Sequence, residues 1–165
     1  LPLLQAAEPG LRFIIAGANP TPEVLALARD DVVVTGLIPD LRELFDAVRV
    51  FVSPLRYGAG MKGKILSAMS YGVPVVTTSV GLEGFAAKPG VHLLVADTPA
   101  EIAEATLRLY RDRSLWRELS TEGMRLVETR YSHTQGTKIL AAAIDTAFGR
   151  MLGASSADRE IEFAQ

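Results

Sequence analysis

Five short apolar runs constrain this chain more than any other feature. They are RFIIAG (12–17), DVVVTG (31–36), VRVFVSP (48–54), VPVVTTS (73–79) and VHLLVAD (91–97), each closed by small or turn-forming residues. Runs that are apolar throughout, rather than alternating, suit strands buried on both faces of a parallel sheet. Parallel neighbours need long crossovers, usually helical. Helix-compatible segments fill the gaps at 21–29, 40–47 and 61–71, with a short turn near 80–87. The alternation predicts a doubly wound α/β fold.

After Asp97 the pattern becomes helical. TPAEIAEATLRLYRD places Pro and acids early and arginines late, as helix ends favour. Two more helices follow, each expected to open on a serine cap, Ser114 and Ser132. The expected domain is 1–153, with 154–165 as a tail. LPLLQAAEPG reads as the last turns of a helix entering the first strand, or as a simple N-terminal helix over Leu1–Ala7. Together with the missing initial Met, the first of these suggests a piece of a longer polypeptide whose preceding strand has been cut off.

Composition narrows the function. The 165 residues suffice for one domain with a real core. A formal charge of -2 argues against general nucleic-acid binding, which needs a basic surplus. The absence of Cys excludes thiolate catalysis, disulfides and Cys-based zinc sites. No apolar run approaches bilayer length, and no secretory signal is visible.

The chemistry concentrates in PLRYGAGMKGKILSAMSYGVPVV (54–76). Read as a dinucleotide fingerprint, Gly58, Gly60 and Gly63 come too late after the strand, and no acid closes the next one. Read as a P-loop, Lys64 is followed by Ile65 instead of a metal-binding hydroxyl. Asp97 reads as a turn residue and not as the second acid of such a site. What remains is a glycine-rich turn entering a helix, which offers free N–H groups and a positive dipole end to an anion. On helical spacing Gly60, Lys64, Ser67 and Tyr71 share one face, while Met61, Ile65, Ala68 and Gly72 share the apolar one. Lys62, if already helical, points roughly 200° away from Lys64. On spacing alone, a glycine loop with two solvated lysines stands level with an anion site.

The ordered blocks VTGLIPDL, VSPLRYGAGMKGKIL, AMSYGVPVVTTSVGLEG and HLLVADTP resemble the nucleotide-sugar-binding half of GT-B retaining glycosyltransferases of family GT4. The likeness runs from about Arg12 to Tyr131. It implies a Rossmann-like C-terminal domain lacking its first strand and much of its first helix, hence also the family's phosphate-binding Arg and Lys near that strand. It implies a nucleoside-diphosphate sugar as donor, an N-terminal acceptor domain elsewhere in the polypeptide, no metal and no cofactor. Gly58, Ala59, Gly60, Met61 and Lys62 match the turn that approaches the donor sugar and phosphates. Lys64 matches a diphosphate-stabilising lysine, the one catalytic candidate. Gly36, Leu37 and Ile38 match the segment against the nucleobase, and Glu83 borders the cleft.

One departure stands out. Family members commonly carry two glutamates where this chain has Ala59 and Ser67. The second accepts hydrogen bonds from ribose hydroxyls, which the shorter, uncharged Ser67 does only by closer approach or through water. The expectation is therefore a cytoplasmic retaining transferase, inactive as the isolated chain, with membrane association of the parent left open. The alternative is a degenerate, non-catalytic nucleotide-binding or interaction domain of the same fold. Thr77 and Thr78 read as strand-end residues, Trp116 and Leu119 as helix packing. His92 and His133 lack the partners that a metal or general-base role needs.

Overall fold

The computed structural model describes the backbone of residues 1–162 and the side chains of residues 1–148. All five apolar runs contain a strand: β1 (Phe13–Ala16), β2 (Val32–Gly36), β3 (Phe51–Ser53), β4 (Val75–Thr77) and β5 (Leu94–Val95). Their ladders are parallel, as uniformly apolar runs require. The strands form two sheets instead of one: β1 pairs with β2, and β3, β4 and β5 pair in that order.

The crossovers are helical but shorter than the sequence pattern suggests. After α1 (Pro2–Ala7), which precedes β1, they are α2 (Pro22–Leu25), α3 (Arg42–Ala47), α4 (Gly63–Ser70) and α5 (Ser79–Leu82). The expected helix over 21–29 stops early because Arg29 and Val32 bond each other's backbones in a tight turn, N–H to C=O at 3.0 Å in both directions. Asp40 accepts from the Arg42 N–H at 2.9 Å and from its guanidinium, fixing the entry to α3.

The helices after Asp97 are α6 (Pro99–Arg111), α7 (Arg113–Tyr131) and α8 (His133–Glu162). Thr98 and Glu101 form a reciprocal capping box at the start of α6. Ser132 caps α8 through the Gln135 N–H at 3.3 Å, as expected. Ser114 does not cap α7. The Asp112 carboxylate accepts from the N–H groups of Ser114 and Leu115 at 2.9 and 3.0 Å, because the helix starts at Arg113 and leaves Asp112, two residues before Ser114, at the cap position. The stretch 154–162, set apart as tail, continues α8, while 163–165 lies outside the described residues.

The chain divides into two compact units, Leu1–Leu126 and Val127 onward. In the first, Val76, Leu94, Leu109 and Leu119 meet in a fully buried cluster, flanked by Val50, Ile102 and Leu115. Side chains of this size each contribute about 1.5–3 kcal/mol when taken from water. Trp116 packs as read, its indole N–H donating to the Arg49 carbonyl at 2.6 Å. Phe45 links α3 to α4 by stacking on Tyr71 at 5.1 Å between centroids. In the second unit, Leu140, Ile144 and Phe148 lie exposed along α8. Among the described residues, no helix is long and apolar enough to cross a membrane.

Candidate functional site

The glycine turn hangs from the carboxyl end of β3, and β4 fixes its root. Thr77 Oγ1 donates to the Ser53 carbonyl at 2.9 Å, and Thr78 Oγ1 donates to the Leu55 carbonyl at 2.6 Å. Thr78 also caps α5 by accepting from the Gly81 N–H. The two threonines are strand-end residues, as read, and they additionally anchor the chain on its way to the turn.

Within the turn, Gly58 and Gly60 have φ of 146° and 69°, values a side chain makes costly. A second loop presses on them. Gly84 has φ 82°, and a Cβ there would lie 3.2 Å from the Met61 N and 3.3 Å from the Gly60 carbonyl carbon. This brings the exposed Glu83 to the edge of the turn. The packing was missed in sequence, although the Thr-Ser run before VGLEG carries a helix-cap signal.

The turn delivers the chain to α4. Its N-cap residue is Lys62, no side chain caps the helix, and no acid stands in its first turn. Its leading N–H groups are thus open to an anion. Ile65 and Ala68 are fully buried on the apolar face, which orients the opposite face outward. Lys64 is exposed and has no hydrogen-bond or ion-pair partner among the described residues. Ser67 is half-buried. Its carbonyl accepts from Ser70 Oγ and the Tyr71 N–H, while its own hydroxyl has no protein partner among the described residues.

Two details differ from the helical-wheel reading. Met61 is 54% exposed and precedes the helix, so it does not join the buried face of Ile65 and Ala68. Lys62 is not helical, with φ -90° and ψ 88°. This backbone sends its side chain back onto the turn, where Nζ donates to the Gly60 carbonyl at 2.5 Å and more weakly to Gly58 at 3.4 Å.

Gly36, Leu37 and Ile38 lie at the carboxyl end of β2, in the other sheet. Gly36 has φ 70°, its carbonyl accepts from the Gly17 N–H at 3.0 Å, and Leu37 is 73% exposed. No hydrogen bond, ion pair or ring contact joins this segment to residues 58–67 among the described residues. Asp97 is a structural residue: Ser79 donates to it through its N–H at 2.7 Å and its hydroxyl at 2.6 Å, holding the carboxyl below its ordinary pKa. His92 is buried, and its Nδ1 accepts from the Lys88 N–H at 2.8 Å.

These features define a Rossmann-like α/β domain with an anion-ready glycine turn at the carboxyl end of its strands. A match to the family described as Glycosyl transferases group 1 covers residues 1–112, and the chain belongs to that family. It is 30% identical over 117 residues to the putative glycosyltransferase YtcC of Bacillus subtilis, covering 68% of this chain and 29% of that protein. The fold is that of the GT-B glycosyltransferases. HepE from Anabaena in complex with UDP superposes with a TM-score of 0.77 at 15% identity, over 88% of this chain and 43% of that one. The C-terminal domain of the group 1 glycosyltransferase LpcC from Francisella tularensis superposes at 0.66 with 19% identity, over 79% and 75%. The chain spans less than a third of the length of the curated relatives it matches.

Proposed function

We propose that this domain binds the donor of a retaining glycosyltransferase, a nucleoside-diphosphate sugar, with the diphosphate at the start of α4. The observation that carries this reading is the uncapped N-terminus of α4, reached through a turn of two positive-φ glycines and flanked by Lys62 and the unpaired Lys64. Backbone N–H groups and ammonium ions aimed at a leaving diphosphate stabilise the charge that develops as the glycosidic bond breaks. Lys64 supplies a mobile cation there. The exposed Leu37 and its neighbours Gly36 and Ile38 offer an apolar face to the base. A fold neighbour, HepE, has been solved with UDP and with UDP-glucose, which supports this class of donor. The acceptor is held by another part of the polypeptide, so the isolated chain transfers no sugar.

A second reading, a nucleotide-binding domain without transfer chemistry, is favoured by one observation. Ser67 offers a single hydroxyl where the family resemblance implies a carboxylate facing the ribose. Titrating nucleoside diphosphates and their sugars into the full-length protein by calorimetry, followed by a transfer assay that reads the product anomer, separates the two. Binding with retention of configuration supports the first reading, and binding without transfer supports the second. Absence of binding by every nucleotide refutes both.

A further inference from the structure

The turn and helix that carry the cations contain no acid. Residues 54–70 hold Arg56, Lys62 and Lys64 but neither Asp nor Glu. A nucleotide sugar presents two kinds of polar group, anionic phosphate oxygens and neutral hydroxyls. Ammonium ions and backbone N–H groups serve the first. A carboxylate, which only accepts, is the strongest side-chain partner for the second. Any such carboxylate must therefore come from another element of the fold.

Gly84 brings one. Its backbone lies so close to the turn that a Cβ on it would stand 3.2 Å from the Met61 N and 3.3 Å from the Gly60 carbonyl carbon. Glu83 precedes it at the end of α5, one Cα–Cα step of about 3.8 Å away, and so stands beside the turn. The loop is held in place from both directions. Thr78 caps α5 through the Gly81 N–H at 3.2 Å and donates to the Leu55 carbonyl at the foot of the turn at 2.6 Å. Glu83 is exposed, and its carboxylate has no hydrogen-bond or ion-pair partner among the described residues. Asp40 and Asp97, in the loops after β2 and β5, are by contrast engaged by Arg42 and Ser79.

We propose that Glu83 accepts hydrogen bonds from hydroxyls of the donor's sugar and thereby selects a nucleotide sugar over the bare nucleotide. The assignment rests on a nucleotide-sugar donor at the start of α4. Beside Gly60 and Met61, Glu83 stands at the diphosphate end of that donor, where the transferred sugar is attached, and more than a helical turn before Ser67. A pair of sugar hydroxyls satisfies the carboxylate. A bare nucleoside diphosphate brings it only like charge. One side chain thus favours the substrate and disfavours the product left after transfer, because a site built to bind a hydroxyl discriminates against a ligand that lacks it.

The test is calorimetry on the full-length protein and its Glu83→Ala variant. The ligands are UDP, GDP, ADP and dTDP, each alone and linked to glucose, galactose, mannose or N-acetylglucosamine. For the base that binds, the variant should lose about tenfold or more in affinity for the nucleotide sugar, the scale of hydrogen bonds to a charged group. It should hold the bare diphosphate as tightly as the unsubstituted protein, or more tightly. A deoxyfluoro nucleotide sugar lacking the contacted hydroxyl should bind the unsubstituted protein more weakly and lose little further in the variant. Equal loss for the diphosphate and the nucleotide sugar, or no loss for either, overturns the assignment and leaves the donor itself standing. Binding of a bare diphosphate with no nucleotide sugar bound also overturns it. Failure of the unsubstituted protein to bind any of these ligands overturns both the assignment and the donor.

Discussion

Lys62 Nζ lies 2.5 Å from the Gly60 carbonyl oxygen, so the lysine that helical spacing points away from the glycine turn is the one folded onto it. Lys62 and Lys64 therefore divide the work, one bracing the turn and the other standing free. Lys64→Met should weaken nucleoside-diphosphate binding by the full-length protein about tenfold or more, the scale of a lost charge-assisted hydrogen bond, and leave the turn intact. Lys62→Met should weaken binding and also speed amide exchange at Gly60 and Met61. Calorimetry and exchange on both variants separate these roles. Identical behaviour of the two lysines would sink the division.

Ser67 is half-buried on α4, one turn beyond Lys64, with a hydroxyl that no protein group engages among the described residues. Ser67→Glu should tighten binding of a nucleotide sugar by the full-length protein about tenfold, since a carboxylate takes two ribose hydroxyls in charge-assisted bonds. A 2′,3′-dideoxynucleotide should gain nothing. If both ligands respond equally, the added charge does not read the ribose.

Gly81 is buried against Thr77. A Cβ at Gly81 would lie 1.9 Å from Thr77 Oγ1, the atom that holds the Ser53 carbonyl at the root of the turn. Gly81→Ala should destabilise the domain by about 2–3 kcal/mol in urea unfolding, as overpacked cores do. Thr77→Ala removes the colliding oxygen, so the double variant should lose less than the two single losses added together. Simple additivity would show that the two residues do not collide.

His92 is buried, which lowers its pKa from 6.5. Glu122 opposes that shift, while Arg125 and Lys88 reinforce it. The unfolded chain then binds a proton more readily than the folded one. The stability held by neutral His92 is full above about pH 6.5 and declines as the pH falls through the lower folded value. His92→Asn keeps an acceptor for the Lys88 N–H and cannot titrate. Thermal unfolding of this variant should depend less on pH in that acidic window than unfolding of the parent. A profile unchanged by the substitution would assign the acid sensitivity to other groups.

The strand positions were legible in sequence because each run is dominated by consecutive apolar residues, and all five runs contain strands. The glycine turn was legible for a similar local reason: Gly58 and Gly60 take backbone angles that few other residues tolerate. Helix lengths were less legible, since the Arg29–Val32 turn follows α2 through backbone bonds that no side-chain pattern announces.

Local chemistry in the chain itself thus determined the parallel α/β class, the glycine turn and the family resemblance carried by its motifs. Only the three-dimensional structure decided that Lys62 folds back on the turn, that Gly84 packs against it, that Gly81 in α5 packs against Thr77, and that the strands form two sheets. The Gly84 packing joins residues more than twenty positions apart, whereas the Lys62 fold-back follows from the non-helical backbone of Lys62 itself. A sequence pattern encodes which face a residue shows, and packing decides what that face meets.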